Sequence, residues 1–196
     1  MIENWLFIAA MLAVLLIPGP TNALLANSAH HQGLAKTFAL VPAELLGYLY
    51  GISIWALLVH LSLPIWPMLS DLLHLASAVY VFWLAFHLWK TSHLAAHGLS
   101  HKVLTPSQLF ISTLKNPKTI LFAAGIFPVE TWDSFTYYFL VMGIFSLCLI
   151  PCAVFWMYWG RKMLAGNIKG IRADQWYKGS ALFLVLCMLP VVIRFF

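Results

Sequence analysis

Two short motifs in this sequence could do chemistry, and each puts proline inside an apolar run. Pro18-Gly19-Pro20-Thr21-Asn22 lies in the first such run, and Lys115-Asn116-Pro117-Lys118-Thr119 lies in the fourth. Proline removes an N–H and clashes with the preceding turn, so each motif interrupts a helix. An interruption frees backbone carbonyls and exposes a half-helix N-terminus with partial positive charge. In lipid such backbone is tolerated only where it lines a cavity or is buried in protein. The candidate substrate-binding residues are therefore Pro18, Gly19, Pro20, Thr21 and Asn22 in one break, and Asn116, Pro117, Lys118 and Thr119 in the other.

Glu44 is the acidic residue that lies deep in an apolar run, about eight residues into the second, or roughly 12 Å at the helical rise. An ionisable group at that depth costs about 2.5–3.5 kcal/mol on insertion scales. It reads as a proton-coupling residue or as a site for a substrate amine. Lys115 can snorkel to the nearer membrane face. Lys118, just past the break, is less well placed to do so. Gly47 and Gly51, spaced four apart beyond Glu44, read as a close helix-packing face.

Other constellations are weaker. His93, His97 and His101 recur every four residues, a spacing that suits a metal on a helix face. Gly98 interrupts that helix pattern and no cysteine or carboxylate joins it, so no metal site is expected. Of three cysteines, Cys148, Cys152 and Cys187, the first two share a helix face but form no CxxC pair, and membrane packing accounts for them. No nucleophile–base pair, phosphate loop or paired carboxylates can be found, so neither an enzyme nor a cofactor is expected.

The elements that must position these residues follow from composition. Of 196 residues, 62% are hydrophobic and 9% are charged, against about 25% charged in an ordinary soluble domain. Too few charges are present to wet a globular surface, so the solvent is lipid. The net charge of +5 does not point to nucleic acid, because the basic residues sit in short loops between apolar runs. Six apolar segments cover about 5–26, 37–63, 68–89, 108–127, 136–159 and 179–195. They are long and continuously apolar, unlike the alternating strands of a membrane barrel, and backbone pairing in lipid leaves helix. The first run lacks a positive n-region, so it reads as a retained span rather than a signal peptide.

The expected fold is an all-α integral membrane protein with six transmembrane helices in a single domain over 1–196. Lys36, the pair Lys90 and Lys102, and the group Arg161, Lys162, Lys169, Arg172 and Lys178 follow spans one, three and five. Those loops should face the cytoplasm, with both termini outside. Pro20 and Pro117 stand 97 residues apart, about half the chain. Three spans per half is odd, so the second half enters the membrane from the opposite face. The expectation is an inverted repeat, with half one at about 1–92, a cytoplasmic loop at about 90–107 and half two at about 108–196.

These residues resemble a known family. Pro18-Gly19-Pro20 followed by Leu24 and Leu25 resembles the PGP motif in span one of the LysE/RhtB exporters, and Asn116-Pro117-Lys118 with Leu121-Phe122 resembles the NPK motif of their span four. Gly33-Leu34-Ala35 is similar to the family's first loop, and Gly179-Ser180-Ala181 to the start of its last span. The resemblance implies a secondary transporter that exports amino acids or related small metabolites across a bacterial inner membrane, driven by protons. Its partners would be that small-molecule substrate, protons and the bilayer, with a homo-oligomer as one assembly. The chain departs from the family at His30-His31-Gln32, where arginines are common. It also departs in span two, where Leu46 takes the place of a Gly-Asp pair and Glu44 lies about two residues earlier. Two other readings stay open: an exporter of a metal cation using the histidines and Glu44, and a membrane-embedded thiol redox protein using Cys148 and Cys152.

Overall fold

The computed structural model describes residues 2–62 and 103–165, together with isolated positions between 65 and 90 and at 179 and 182. Among the described residues every regular element is helical. The first apolar segment forms α1 (Ile2–Leu16) and α2 (Pro20–Gln32), which meet at an angle of 54°. Pro18 and Gly19 supply the break, and Pro20 opens α2 at the helical position where a missing N–H costs nothing. The helix was expected to end near residue 26. It continues through the polar residues Asn27, Ser28, His30 and His31, and stops at Gly33, whose φ of +86° suits glycine.

From Leu34 the chain runs to Ser62 as one 29-residue apolar rod, α3 (Leu34–Phe38) leading through a turn into α4 (Val41–Ser62). At the helical rise this is about 43 Å, more than the roughly 30 Å of a bilayer's hydrocarbon. The fourth segment is two pieces, as its proline dictates. α5 (Pro106–Leu114) starts from a capping box in which Thr105 Oγ1 accepts from the Gln108 N–H and Gln108 Oε1 accepts from the Thr105 N–H. α6 (Lys118–Leu121) runs on into a π-turn, Phe122–Ile126. A short 3₁₀ turn, Val129–Trp132, leads to α7 (Phe135–Phe155), N-capped by Ser134. The fifth segment was expected to end near 159. It passes through a π-turn, Trp156–Gly160, into α8 (Arg161–Leu164), giving a 30-residue rod from Phe135 to Leu164.

Among the described residues two helices are thus long and apolar enough to cross a membrane, or three if the bent pair α1–α2 is one span. Their outward faces agree with lipid as solvent. Leu46, Tyr50, Ile54, Leu57 and Leu61 form an exposed stripe along α4, and Phe139, Leu147, Ile150 and Val154 are exposed on α7. Segments 68–89 and 179–195 lie outside the described residues apart from isolated positions, among them Leu72, Leu75, Val79, Phe82 and Phe86, which are helical and exposed. The loop with His93, His97 and His101, and Cys187, also lie outside them.

The interior has two apolar clusters. One joins Val14 and Ile17 of α1 and its end to Tyr48 and Ile52 of α4, Leu121 and Phe122 of the fourth segment, and Phe145 and Leu149 of α7. The other joins Leu25 and Ala29 of α2 to Val41, Leu109, Ala153 and Met157. Each of the four segments passes from one cluster to the other. The α1–α2 segment goes from the first cluster to the second, and α5–α6 goes from the second to the first. The α4 rod goes from the second to the first, and α7 goes from the first to the second. The α1–α2 segment therefore runs opposite to α5–α6, and α4 runs opposite to α7.

Candidate functional site

The residues between the two clusters are polar, and the two proline breaks meet there. Thr21, Asn22, Asn116, Lys118, Thr119 and Glu44 are all buried. At the end of α1 the break leaves the carbonyls of Leu15 and Ile17 without helical partners. Asn22 turns back from α2 and donates from Nδ2 to both, at 3.0 and 2.7 Å. The Ile17 carbonyl also accepts from Lys118 Nζ at 2.7 Å, across a separation of 101 residues. A cation from one break thus caps a carbonyl freed by the other.

The lysine reaches that carbonyl because Gly19 has no side chain. A Cβ on Gly19 would lie 3.0 Å from Lys118 Cε and 3.1 Å from Nζ. The backbone of Gly19 is extended, at φ −146° and ψ 176°, so close approach rather than conformation calls for glycine here.

The second break is held from both sides. Asn116 Oδ1 accepts from the Lys118 N–H at 3.1 Å, and the Asn116 carbonyl accepts from Thr119 Oγ1 at 2.7 Å. Asn116 Nδ2 faces the first half and donates to Thr21 Oγ1 at 3.3 Å and to Tyr48 Oη at 3.1 Å. Thr21 and Tyr48 share a further bond of 3.4 Å. The Tyr48 ring stands edge-on to Phe122 and Phe145, with centroids 6.1 and 5.6 Å away, which fixes its hydroxyl in the polar layer.

Glu44 sits in the first turn of α4, 2% exposed and hydrogen-bonded to Thr21. Its Oε2 is buried without a hydrogen-bond partner. It interacts electrostatically with Lys118, 1% exposed, and Cys152 of α7 lies near enough to interact with both. No salt bridge joins Glu44 to Lys118, so the two groups face each other without direct contact.

The expected glycine face is present. A Cβ on Gly47 would lie 2.7 Å from Thr113 Cβ and 2.9 Å from the Phe110 carbonyl oxygen, and one on Gly51 would lie 2.8 Å from Thr119 Cγ2. These two glycines let α4 touch the backbone that carries the second break. Lys115 is exposed, as snorkelling requires, whereas Lys118 is not. Of the prolines, Pro18 is buried, Pro117 is half-buried and Pro20 is exposed, so the Pro20 ring stands away from the cluster that its neighbours build. Cys148 and Cys152 are both free thiols. Among the described residues no group of three or more histidine, cysteine or carboxylate side chains is placed to hold a metal.

Sequence reasoning missed Tyr48 and the Ile17 carbonyl, and it assigned Cys152 to membrane packing. Tyr48 follows Glu44 by four residues and so shares its face, which was the available signal. Chemically, the cluster offers a buried ammonium, a buried carboxyl, three hydroxyls and two amides at the junction of two broken helices. No family model, curated protein or solved structure matches the chain.

Proposed function

We propose that this chain is a secondary transporter of the LysE/RhtB kind, exporting amino acids or related small metabolites across a bacterial inner membrane in exchange for protons. One observation carries the reading: two proline breaks 97 residues apart in sequence join in one buried polar cluster, with Lys118 of one bonded to the Ile17 carbonyl of the other at 2.7 Å. Broken helices whose ends meet between inverted halves form the midplane site of many secondary transporters. The opposite directions of α1–α2 and α5–α6, and of α4 and α7, support two inverted halves, and the six apolar runs of the sequence give each half three helices.

In this reading Thr21, Asn22, Asn116, Lys118 and Thr119 bind substrate, and Pro18, Gly19, Pro20 and Pro117 keep the helices open around it. Lys118 faces the substrate carboxylate and Glu44 its amine, charge-assisted contacts stronger than neutral ones. Glu44 also carries the coupling proton. The burial of the cluster corresponds to an occluded stage of alternating access. Both termini lie outside, from the placement of lysine and arginine.

The test is a comparison of metabolites in the medium of cells with and without the protein. A small amine-bearing compound should accumulate outside the cells that make it. Identical media would overturn the proposal, and growth protection against a metal cation instead would favour cation export.

A further inference from the structure

The polar layer holds donors and acceptors that its own hydrogen bonds do not use up. An ammonium has three N–H donors, and the Lys118 nitrogen makes one short bond, to the Ile17 carbonyl at 2.7 Å. On the other side, Glu44 Oε2 is an acceptor, buried and without a partner. A buried acceptor left unpaired is costly, so it marks a place where a donor belongs in some state of the protein. We propose that the Ile17 carbonyl and the Glu44 carboxylate form a receptor for a primary ammonium group, whose carbonyl side Lys118 occupies from within and which the amine of an incoming substrate takes over.

The inference rests on the reading of the two breaks as the substrate site, and three features argue for it. First, the Ile17 carbonyl is free because the break released it, and Asn22 Nδ2, which also donates to it at 2.7 Å, fixes its position. Second, Gly19 leaves space for the last methylene and the nitrogen of an alkylammonium chain at that carbonyl, since any Cβ there would come within 3.1 Å of both. Third, the exchange conserves charge. A substrate ammonium restores the bond to Ile17 and supplies the donor that Glu44 Oε2 lacks. The released Lys118 then meets the substrate carboxylate. A zwitterion adds no net charge to the buried layer, so it enters without leaving a bare ion behind. The receptor selects primary ammonium groups, which bring three donors, over quaternary ones, which bring none.

Lys118→Ala tests this, because it removes three methylenes and the ammonium and leaves a space the shape of n-propylammonium. The probes are n-propylammonium, tetramethylammonium and n-propanol, added to the purified variant in detergent, with Tm as the readout. n-Propylammonium at 100 times its Kd should raise Tm by roughly 5–10 °C. Tetramethylammonium and n-propanol should not, and adding Glu44→Gln should abolish the response. A Tm indifferent to n-propylammonium, or equally responsive to n-propanol, overturns the inference. If Lys118→Ala is not recovered from membranes, n-propylammonium is supplied during expression. Recovery in its presence alone supports the receptor, and failure to recover the protein with the amine present overturns it. Export plays no part in this readout. A flat thermal response beside normal export would sink the receptor alone, and amine rescue without any exported metabolite would sink the transport reading alone.

Discussion

Gly19→Ala is the smallest change that separates a helix break from a lysine cradle. The extended backbone of Gly19, φ −146° and ψ 176°, is open to alanine, so backbone strain contributes nothing. The added Cβ would stand 3.0 Å from Lys118 Cε and 3.1 Å from Nζ, closer than carbon atoms ordinarily approach, so the lysine must retreat by a few tenths of an ångström. That lengthens its 2.7 Å bond to the Ile17 carbonyl. A hydrogen bond to a charged group contributes about 1.5–3 kcal/mol. Replacing glycine by alanine at a permitted conformation returns about 0.4–1 kcal/mol through the unfolded chain. The net expectation is a loss of about 1–2 kcal/mol, or roughly 2–8 °C in Tm for a chain of this size. The assay is thermal unfolding in detergent, run as a double-mutant cycle with Lys118→Ala. Without the lysine chain the clash is gone, so Gly19→Ala should then cost nothing or stabilise slightly. An equal loss in both backgrounds would refute the lysine-cradle argument and return Gly19 to the status of a plain hinge.

Three further outcomes are expected. Gly47→Ala should destabilise by about 1–3 kcal/mol, as overpacking does, because its Cβ would meet the Phe110 carbonyl at 2.9 Å and backbone cannot step aside; a Tm within error of wild type would show that α4 and α5 are not in contact. Glu44→Gln should lose its response to an imposed pH gradient in proteoliposomes, whereas a merely structural Glu44 would tolerate this isosteric change and gradient-driven efflux would persist at the wild-type rate. Single cysteines near Lys169 should be labelled only from the cytoplasmic side, and labelling from outside in intact cells would reverse the topology.

The sequence made the breaks legible because proline and glycine act through the backbone wherever they stand. Glu44 and Lys118 were legible because charge is rare in an apolar run, and their burial in one layer agrees with that signal. The Ile17 carbonyl was not, since a backbone acceptor has no signature in residue type. Tyr48 was hidden among other aromatics, and only its tertiary neighbours Phe122 and Phe145 give its hydroxyl a direction. Gly19 was read as part of a kink, although its use is to admit a side chain from 99 positions away. α2 and the rod from α7 through α8 ran past their apolar stretches because polar residues such as His30 and Lys162 continue a helix readily. Hydropathy locates the buried length of a helix and not its full extent.

The most direct test of the account is efflux of the exported metabolite from proteoliposomes carrying either wild type or Pro18→Ala/Pro20→Ala/Pro117→Ala, under the same imposed pH gradient and at matched protein content. If the meeting of two broken helices is the transport site, the three alanines together let helix continue through both breaks and efflux falls to the rate of empty liposomes while the protein stays inserted. Efflux by the triple variant at the wild-type rate would contradict the claim.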